Sequence, residues 1–560
     1  MVDVITENLD LWSAAMLNKS TAGRGTSDKQ TAYGIKKLRD LILELAVLGK
    51  LVSQDPNDIP ARELLKEIES EKQGFIKAGK FKAPKTTLDI DPNKLPYILP
   101  IGWEWIRLGN CSQIERGGSP RPIEAYLTND VDGLNWIKIG DTQKGCKFIT
   151  STREKIKKEG LVKTRMVYPG DFLLTNSMSF GRPYISMIEG CIHDGWLRIH
   201  PPALLDKDYL YNLLQSPYVT RFFAKAAAGA VVQNLNADKV RELLIALPPF
   251  EEQKRIAAKV DELMALCDQL EQQQTDNIAA HQTLVQTLLD TLTQAADGWE
   301  FEQAWSRIAD HFDTLFTTET SIDQLKQTLL QLAVMGKLVP QDSSDEPAID
   351  LLRRITSERI QSTKQGKGRQ EIDLPSIDEE ETPYKLPNGW EWVRLGQIIN
   401  ISSGDGLTST MMNSAGDIPV YGGNGVTGYH DKANVTTPTL VIGRVGYYCG
   451  SVHITPESAW VTDNAFVTTF SKNNIYLNFL NWLLKGTNLK ENENATAQPV
   501  ISGRKVYPIV VGLPPKNEQH RIVAKLDELM TLCDTLKSHI AAAQTTQLQI
   551  ADAIVEQAVA

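Results

Sequence analysis

Two sets of arginines, glycines and small polar residues hold the side chains most able to do specific chemistry in this chain. In RGGSPRP (Arg116 to Pro122), Gly117 and Gly118 let the backbone come close to a ligand, and Ser119 offers a hydroxyl. Arg116 and Arg121 can pair with a phosphate or grip a guanine edge through two parallel N–H groups. Lys138 adds a cation, TNSMSFGRP supplies Asn176, Ser177, Ser179 and Arg182 beside Phe180, and QNLN supplies Gln233, Asn234 and Asn236. The second set comprises Gly404 in SGDGL, then Tyr421, Gly423, Asn424, His430, Arg444, Asp463, Asn464 and Gln498. Amides, hydroxyls and guanidinium groups of these kinds read base edges in a DNA groove, so both sets are candidate DNA contacts.

Bond-making motifs, by contrast, fail on inspection. Gly423, Gly425 and Gly428 spell G-x-G-x-x-G after the strand-like Ile418 to Tyr421, but a dinucleotide site needs a helix to start at once. The following YHDKANVTTPT is β-branched and contains proline, so those glycines predict a tight turn instead. LPPF (Leu247 to Phe250) lacks the Asn or Asp of an amino-methyltransferase motif, and its two prolines read as the start of a helix. No phosphate loop is present, and none of the eight histidines has metal-ligand spacing. His193 and Asp194 are adjacent, and neighbours in a strand or loop seldom face one another. The six cysteines form no C-x-x-C pair, and Cys267 and Cys533 sit on apolar helix faces as small hydrophobes. The expectation is a binding protein with no catalytic, metal or cofactor site.

The elements that must position these loops occur twice. AVLGKLVSQD (Ala46 to Asp55) returns as AVMGKLVPQD (Ala333 to Asp342), and LPIGWEWIRLG (Leu99 to Gly109) as LPNGWEWVRLG (Leu386 to Gly396), both displaced by 287 positions. LPPFEEQKRIAAKVDELMALCDQL (Leu247 to Leu270) returns at Leu513 to Leu536, displaced by 266, with 17 of 24 positions identical. This frame encloses two inserts, Asn110 to Ala246 and Gln397 to Gly512, between which no convincing register is found. A copied frame with two unlike payloads implies one task performed on two targets.

Ahead of each AVxGKLV, Ile35, Leu38, Ile42 and Leu45 and their counterparts Ile322, Leu325, Leu329 and Leu332 predict one helix face. Inside the inserts, LNWIKI, DFLLT, TLVI and AFVTTF predict strands, with helices at Tyr209 to Lys225 and Tyr476 to Lys485. After each insert Ile256, Val260, Leu263, Cys267 and Leu270, and Ile522, Leu526, Leu529, Cys533, Leu536 and Ile540, alternate in steps of four and three, a coiled-coil seam. The first seam is expected to resume at Leu284, Leu288 and Leu292. Two such helices can pair antiparallel about a pseudo-twofold axis; the alternative is that each buries its stripe on its own insert.

The net charge of −10 is unevenly placed. The first insert holds 18 basic against 14 acidic residues and Gln397 to Val511 holds 7 against 7, so local surface rather than total charge governs phosphate contact. No stretch approaches the roughly 20 apolar residues of a spanning helix, and Met1 to Lys19 lacks the pattern of a signal peptide, so a cytoplasmic location is expected.

The duplicated LPxGWEWxRLG and LPPxxEQxRIxxKxDELM resemble the specificity subunit of type I restriction-modification enzymes, over nearly the whole chain. IPVYGGNGVTGYHDK (Ile418 to Lys432) with GRVG (Gly443 to Gly446) resembles a recurrent target-recognition domain of that family. The resemblance implies an α+β fold, with two mainly β target-recognition domains separated by two long antiparallel coiled-coil helices. The expected parts are 1–94, an N-terminal helical region and linker; 95–248, the first recognition domain; 249–296, the first long helix; 297–385, a central helical region and linker; 386–514, the second recognition domain; and 515–560, the second long helix. It also implies double-stranded DNA with a bipartite target, two modification subunits that methylate adenine from S-adenosylmethionine, and restriction subunits that use ATP and Mg. Such a rod would set the readers about one helical turn of DNA, 34 Å, or a multiple of it apart. The alternative from another class is a coiled-coil adaptor with two β domains for protein or glycan partners.

Overall fold

The computed structural model describes residues 2–18, 30–81, 89–143, 145–176, 181–227, 235–296, 298–364, 374–413, 415–446, 448–490 and 500–560. They form two compact units, Met1–Asn277 with Ala543–Ala560, and Ile278–Ala542. Six helices build the frame: α1 (Tyr33–Val47), α2 (Ala61–Lys77), α3 (Phe250–Gln294), α4 (Glu319–Val334), α5 (Ala348–Lys364) and α6 (Lys516–Val559). Helix α3 begins in the first unit and ends in the second; α6 does the reverse. The chain is α+β, with two sheet-rich domains and two long helices, as the sequence predicts.

The repeated motifs become physical once their contacts are followed. The face of α1 predicted from spacing, Ile35, Leu38, Ile42 and Leu45, is fully buried, as is that of α4. Each helix stops at its AVxGK glycine: Gly49 (φ 67) and Gly336 (φ 71) adopt the left-handed conformation that closes a C-terminus. The amides that follow, Lys50 and Lys337, return to the carbonyls of Leu45 and Leu332 at 2.9 Å. A β-carbon at either glycine would lie 2.5 Å from Pro100 or Pro387, so the GWEW segment packs directly on the turn.

The tryptophan of that segment then reaches the long helix. Trp103 Nε1 donates to Glu252 at 3.0 Å, and Trp390 Nε1 donates to Glu518 at the same distance. Both carboxyls are buried, and burial raises their pKa values above the ordinary range despite the indole hydrogen bonds. The next residue, Gln253 or Gln519, accepts a backbone N–H from its own insert, from Asp206 at 2.7 Å or Tyr476 at 2.8 Å. Thus Glu-Gln in LPPxxEQ ties frame to payload. The prolines directly precede α3 and α6, as the helix-start reading requires.

Each insert is closed at its neck by a two-stranded antiparallel ribbon, Glu104–Arg107 with Leu244–Leu247 and Glu391–Arg394 with Val510–Leu513. In the first unit α1 is held by both long helices. Arg39 pairs with Asp268 of α3 at 2.7 Å, Lys37 with Asp552 of α6 at 2.7 Å, and Lys50 donates to the Val559 carbonyl. The second unit repeats this at equivalent positions: Lys326 pairs with Asp534 at 2.5 Å, Gln324 donates to Gln286 at 2.9 Å, and Lys337 to the Thr293 carbonyl. Ala551 and Ala558 accordingly belong to the first unit's core, and Val285, Leu289 and Leu292 to the second's.

Leu292 is buried as expected and Leu288 packs against the same core, but Leu284 departs from the expectation. The seam of α3 resumes at Val285 and Leu289, while Leu284 is half exposed. Among the described residues none from Glu271 to Leu284 is buried, so no apolar seam fixes the heptad phase there and the 3.6-residue helix drifts off it. Cys267 behaves as the hydrophobe expected: burial pushes its thiol up to about 11. The predicted helix Tyr209 to Lys225 is split into Lys207–Gln215 and Pro217–Ala227, because Pro217 cannot continue the first. The N-terminal segment, which the motifs left unexplained, adds Ile5, Trp12 and Ala15 to the first core, and Gly34 donates to the Ala15 carbonyl.

Candidate nucleic-acid interface

The absence of a register between the inserts is overturned by their backbones. In the first, strands order as Gln113–Arg116, Trp196–His200, Phe172–Thr175, Pro183–Ser186 and Phe148–Ile149; in the second as Ile399–Ser403, Ala465–Phe470, Leu440–Gly443 and Val452–Ile454. Each insert also has a second sheet containing one parallel pair, Ile137 with Ile192 and Tyr421 with Val461. The matching bonds are Gly117 N to Trp196 O (2.9 Å) and Gly404 N to Ala465 O (3.1 Å), and Gly118 N to Ile192 O (3.2 Å) and Asp405 N to Val461 O (3.0 Å). His193 N meets Ile137 O as Thr462 N meets Tyr421 O. The register was invisible because main-chain groups carry it, with no side chain required to match.

Gly117 and Gly404 are both needed for this approach. A β-carbon at Gly117 would sit 2.2 Å from the His193 carbonyl, and one at Gly404 2.3 Å from that of Val461. The glycine-bearing loop is thereby pressed onto a turn ahead of the sheet's inner strand, His193–Gly195 in the first insert and Thr462–Asn464 in the second. Asp194 and Asp463 are equivalent residues at the middle of it.

In the first insert this turn gathers the candidates. Arg116 Nε donates to the Asp194 carbonyl at 3.2 Å and Asn176 Nδ2 to the same oxygen at 2.8 Å. The Ser119 hydroxyl donates to Oδ1 of Asp194 at 2.8 Å, and Arg121 approaches Oδ2 at 3.5 Å. Partial burial pulls the Asp194 pKa upward, but the Ser119 hydrogen bond and the His193 and Arg121 charges outweigh it and hold it below the usual carboxylate range. Arg116, Arg121 and Arg182 are exposed, so N–H groups remain for an outside acceptor. Lys138 follows the strand residue whose carbonyl receives His193, yet Glu154 holds its ammonium at 2.5 Å. Ser177, Ser179, Phe180, Gln233 and Asn234 lie outside the described residues.

Asp194 itself was passed over in the sequence. Its side chain does not face His193; His193 Nδ1 accepts instead from Gly195 N at 2.7 Å, and the carboxylate turns to the RGGSPRP loop. The available signal was the polar His-Asp-Gly turn ahead of a strand-like run, matched by Thr-Asp-Asn ahead of AFVTTF.

In the second insert Gly404, Arg444, Asp463 and Asn464 converge likewise. Arg444 Nη1 donates to the Asp463 carbonyl at 3.3 Å and to Ser403 Oγ at 3.4 Å, with its guanidinium 5.5 Å from the Phe466 ring centre. Ser403 Oγ also donates to the Asp463 carbonyl at 3.3 Å. Arg444, Ser403 and Phe466 line a hollow of about 830 Å³ with Arg504 and Tyr507. Beside it, Gly423, Asp463 and Asn464 line a cleft of about 450 Å³ with Leu407, Thr408 and Met412. Asn424 is exposed in the hairpin turn between Ile418–Gly422 and Gly425–His430. A strand follows that glycine run, so no helix N-terminus meets a dinucleotide there. Tyr421 and His430 are buried, the latter edge-on to Trp460 at 5.4 Å, and both serve the packing of the second sheet. Gln498 lies outside the described residues.

Among the described residues no group of three or more His, Cys, Asp or Glu side chains could hold a metal ion, and no helix is long and apolar enough to cross a membrane. The family model described as type I restriction modification DNA specificity domain matches residues 100–280 and 387–543, that is, each neck, insert and first part of a long helix. The chain belongs to this family. The type I restriction enzyme EcoAI specificity subunit of Escherichia coli is 37% identical, over 99% of both chains, and the EcoEI specificity subunit of the same organism is 36% identical over 99% of both. The solved HsdS subunit of Thermoanaerobacter tengcongensis aligns with 83% of this chain and 98% of its own length, at 19% identity and a TM-score of 0.42. The chain is therefore a type I specificity subunit, a non-catalytic, DNA-binding component of a restriction-modification complex, and the adaptor reading is not favoured.

Proposed function

We propose that the two inserts each read one half of a bipartite DNA sequence, with reader boundaries at 95–248 and 386–514. The observation that carries this is the shared Asp194 and Asp463 turn, surrounded in each insert by different hydrogen-bonding side chains on one backbone plan. Constant backbone with variable donors is what two base-reading surfaces of one construction require. Among the candidates, Arg116, Ser119, Arg121 and Arg182 form the first surface, with buried Asn176 bracing the turn beneath it, and Gly404, Gly423, Asn424, Arg444, Asp463 and Asn464 the second.

The helices 249–296 and 515–560 fix the spacing between half-sites and carry two modification subunits, which bring S-adenosylmethionine to the target adenine. Restriction subunits, with ATP and Mg, complete the complex in the cytoplasm of a bacterial or archaeal cell. The near-neutral second reader contributes discrimination, and phosphate contacts by the modification subunits contribute much of the affinity. Replacement of residues 110–246 by the insert of a relative, followed by genome-wide mapping of methylated adenine, tests the reading. One half of the recognised sequence should change; change in both halves, or in neither, would overturn it.

A further inference from the structure

In both readers the carbonyl of the turn aspartate accepts from two side chains, one at the end of the sheet's edge strand and one just after its third strand. The edge-strand position is Arg116 in the first reader and Ser403 in the second; the other is Asn176 in the first and Arg444 in the second. Each turn thus receives one arginine and one small polar residue, but the arginine arrives from opposite sides. The backbone does not dictate which side, because each position bonds the same oxygen with either residue type.

We propose that this two-residue position is the base selector of each reader, its arginine facing the acceptor edge of a guanine while the small partner, buried Asn176 or exposed Ser403, fixes the turn that aims it. The proposal rests on the reading of the inserts as DNA readers and names the residues that set their specificity. Anchoring by one N–H leaves the others of a planar guanidinium free in a fixed direction, which suits paired contacts to guanine O6 and N7. Arg116 spends Nε and remains exposed; Arg444 spends Nη1, faces the Phe466 ring and lines the hollow beside Arg504. A side chain serving only to cap the turn would need neither exposure nor a fork of unused donors. Moving the arginine across the turn shifts the guanine contact along the groove, so one scaffold can present two different sequences.

The test uses the full chain assembled with its modification subunits. Methylation motifs are mapped for Arg116→Lys, Arg444→Lys and the exchange Ser403→Arg with Arg444→Asn, neither of whose positions is buried. Lysine keeps the charge and can still reach the turn but cannot form the paired contact. R116K should relax one base of the first reader's half-site by on the order of 10- to 100-fold and leave the other half intact, and R444K should do the reverse. The exchange should alter the preferred base in the second half alone. An unchanged motif, methylation weakened uniformly over all sequences, or relaxation in both halves would overturn the selector. The lysine variants lie in separate readers, so misfolding of one leaves the other to decide. If the insert exchange moves one half-site while both lysine variants keep the parent motif, the selector falls and the readers stand; if the insert exchange moves neither, the reader assignment itself falls.

Discussion

The two readers are built on the same strand order and support it with opposite chemistry. In the first, Asp171 is buried and held by Arg198 at 2.8 Å and His200 at 2.7 Å, and Arg198 also reaches Glu115 at 3.5 Å. The second places Thr439, Val467, Thr469 and Ser402 at the matching positions, with Val441 opposite Val467 where Leu173 stands opposite Arg198. A charged network and a hydroxyl-and-valine lattice therefore support the same strand order. The comparison teaches that backbone pairing and the reading turn are the constant parts, while the means of stabilising them is free to vary. It also locates vulnerability: a buried charge that loses its partner costs far more than a lost hydroxyl contact.

The widest gap between the readers should open when residues 543–560 are removed. Only the first unit takes its last core residues from that tail, so it should lose on the order of 5 kcal/mol of apolar packing, while the second retains its own. Hydrogen exchange should show early loss of protection in residues 33–47 and not in 319–334; equal loss in both would break the comparison. Next in size, Asp171→Ala should cost about 3–5 kcal/mol by removing the carboxylate shared by Arg198 and His200, leaving Arg198 only its longer Glu115 contact, against about 1 kcal/mol for Thr439→Ala, measured by denaturant unfolding. Burial acts to raise the Asp171 pKa, but His200 and Arg198 prevail and hold it below the ordinary value. Its contribution is therefore present above the unfolded carboxyl value and lost as pH falls through the folded one, a sensitivity the second reader should lack at this position.

Where the frame is identical, the readers should respond alike. Trp103→Phe and Trp390→Phe each leave a buried glutamate without its indole donor, at about 1–3 kcal/mol apiece. A difference larger than that range would show that the two necks are not equivalent. Smallest is the pH effect of those glutamates. Because folding raises the pKa values of Glu252 and Glu518, their favourable contribution is full below the unfolded value near 4.3 and fades as pH rises through the folded one. The melting temperature of the parent relative to Glu252→Gln with Glu518→Gln should rise as pH is lowered from neutrality toward the unfolded carboxyl value; a flat difference would count against a buried ionisation.

Much of the frame was legible in the sequence because its function is side-chain packing. The glycine, tryptophan and glutamate of the repeated motifs touch one another and the glutamine grips the insert backbone, so their identities and spacing had to be copied. The likeness of the readers was not legible, because it resides in N–H and C=O groups that every residue owns. Gly117 and Gly404 were marked for backbone freedom, yet their partners, the His193 and Val461 carbonyls, have no signature. For the same reason Asp194 was missed while Asp463, beside Asn464, was picked out. Tyr421 and His430 were chosen for polar chemistry and turned out buried, since an aromatic ring with one polar atom serves packing as readily as recognition.

The placement of Ala551 and Ala558 in the first unit's core bears on how the chain is made. A ribosome delivers residues 1–277 first, yet that unit must wait for the whole of the second to be synthesised before its final helical turns arrive. Until then α1 lacks the partner of Lys37 and exposes part of its apolar surface, so the earliest-born half matures last. A nascent chain stalled after residue 542 would hold a finished second half and an incomplete first.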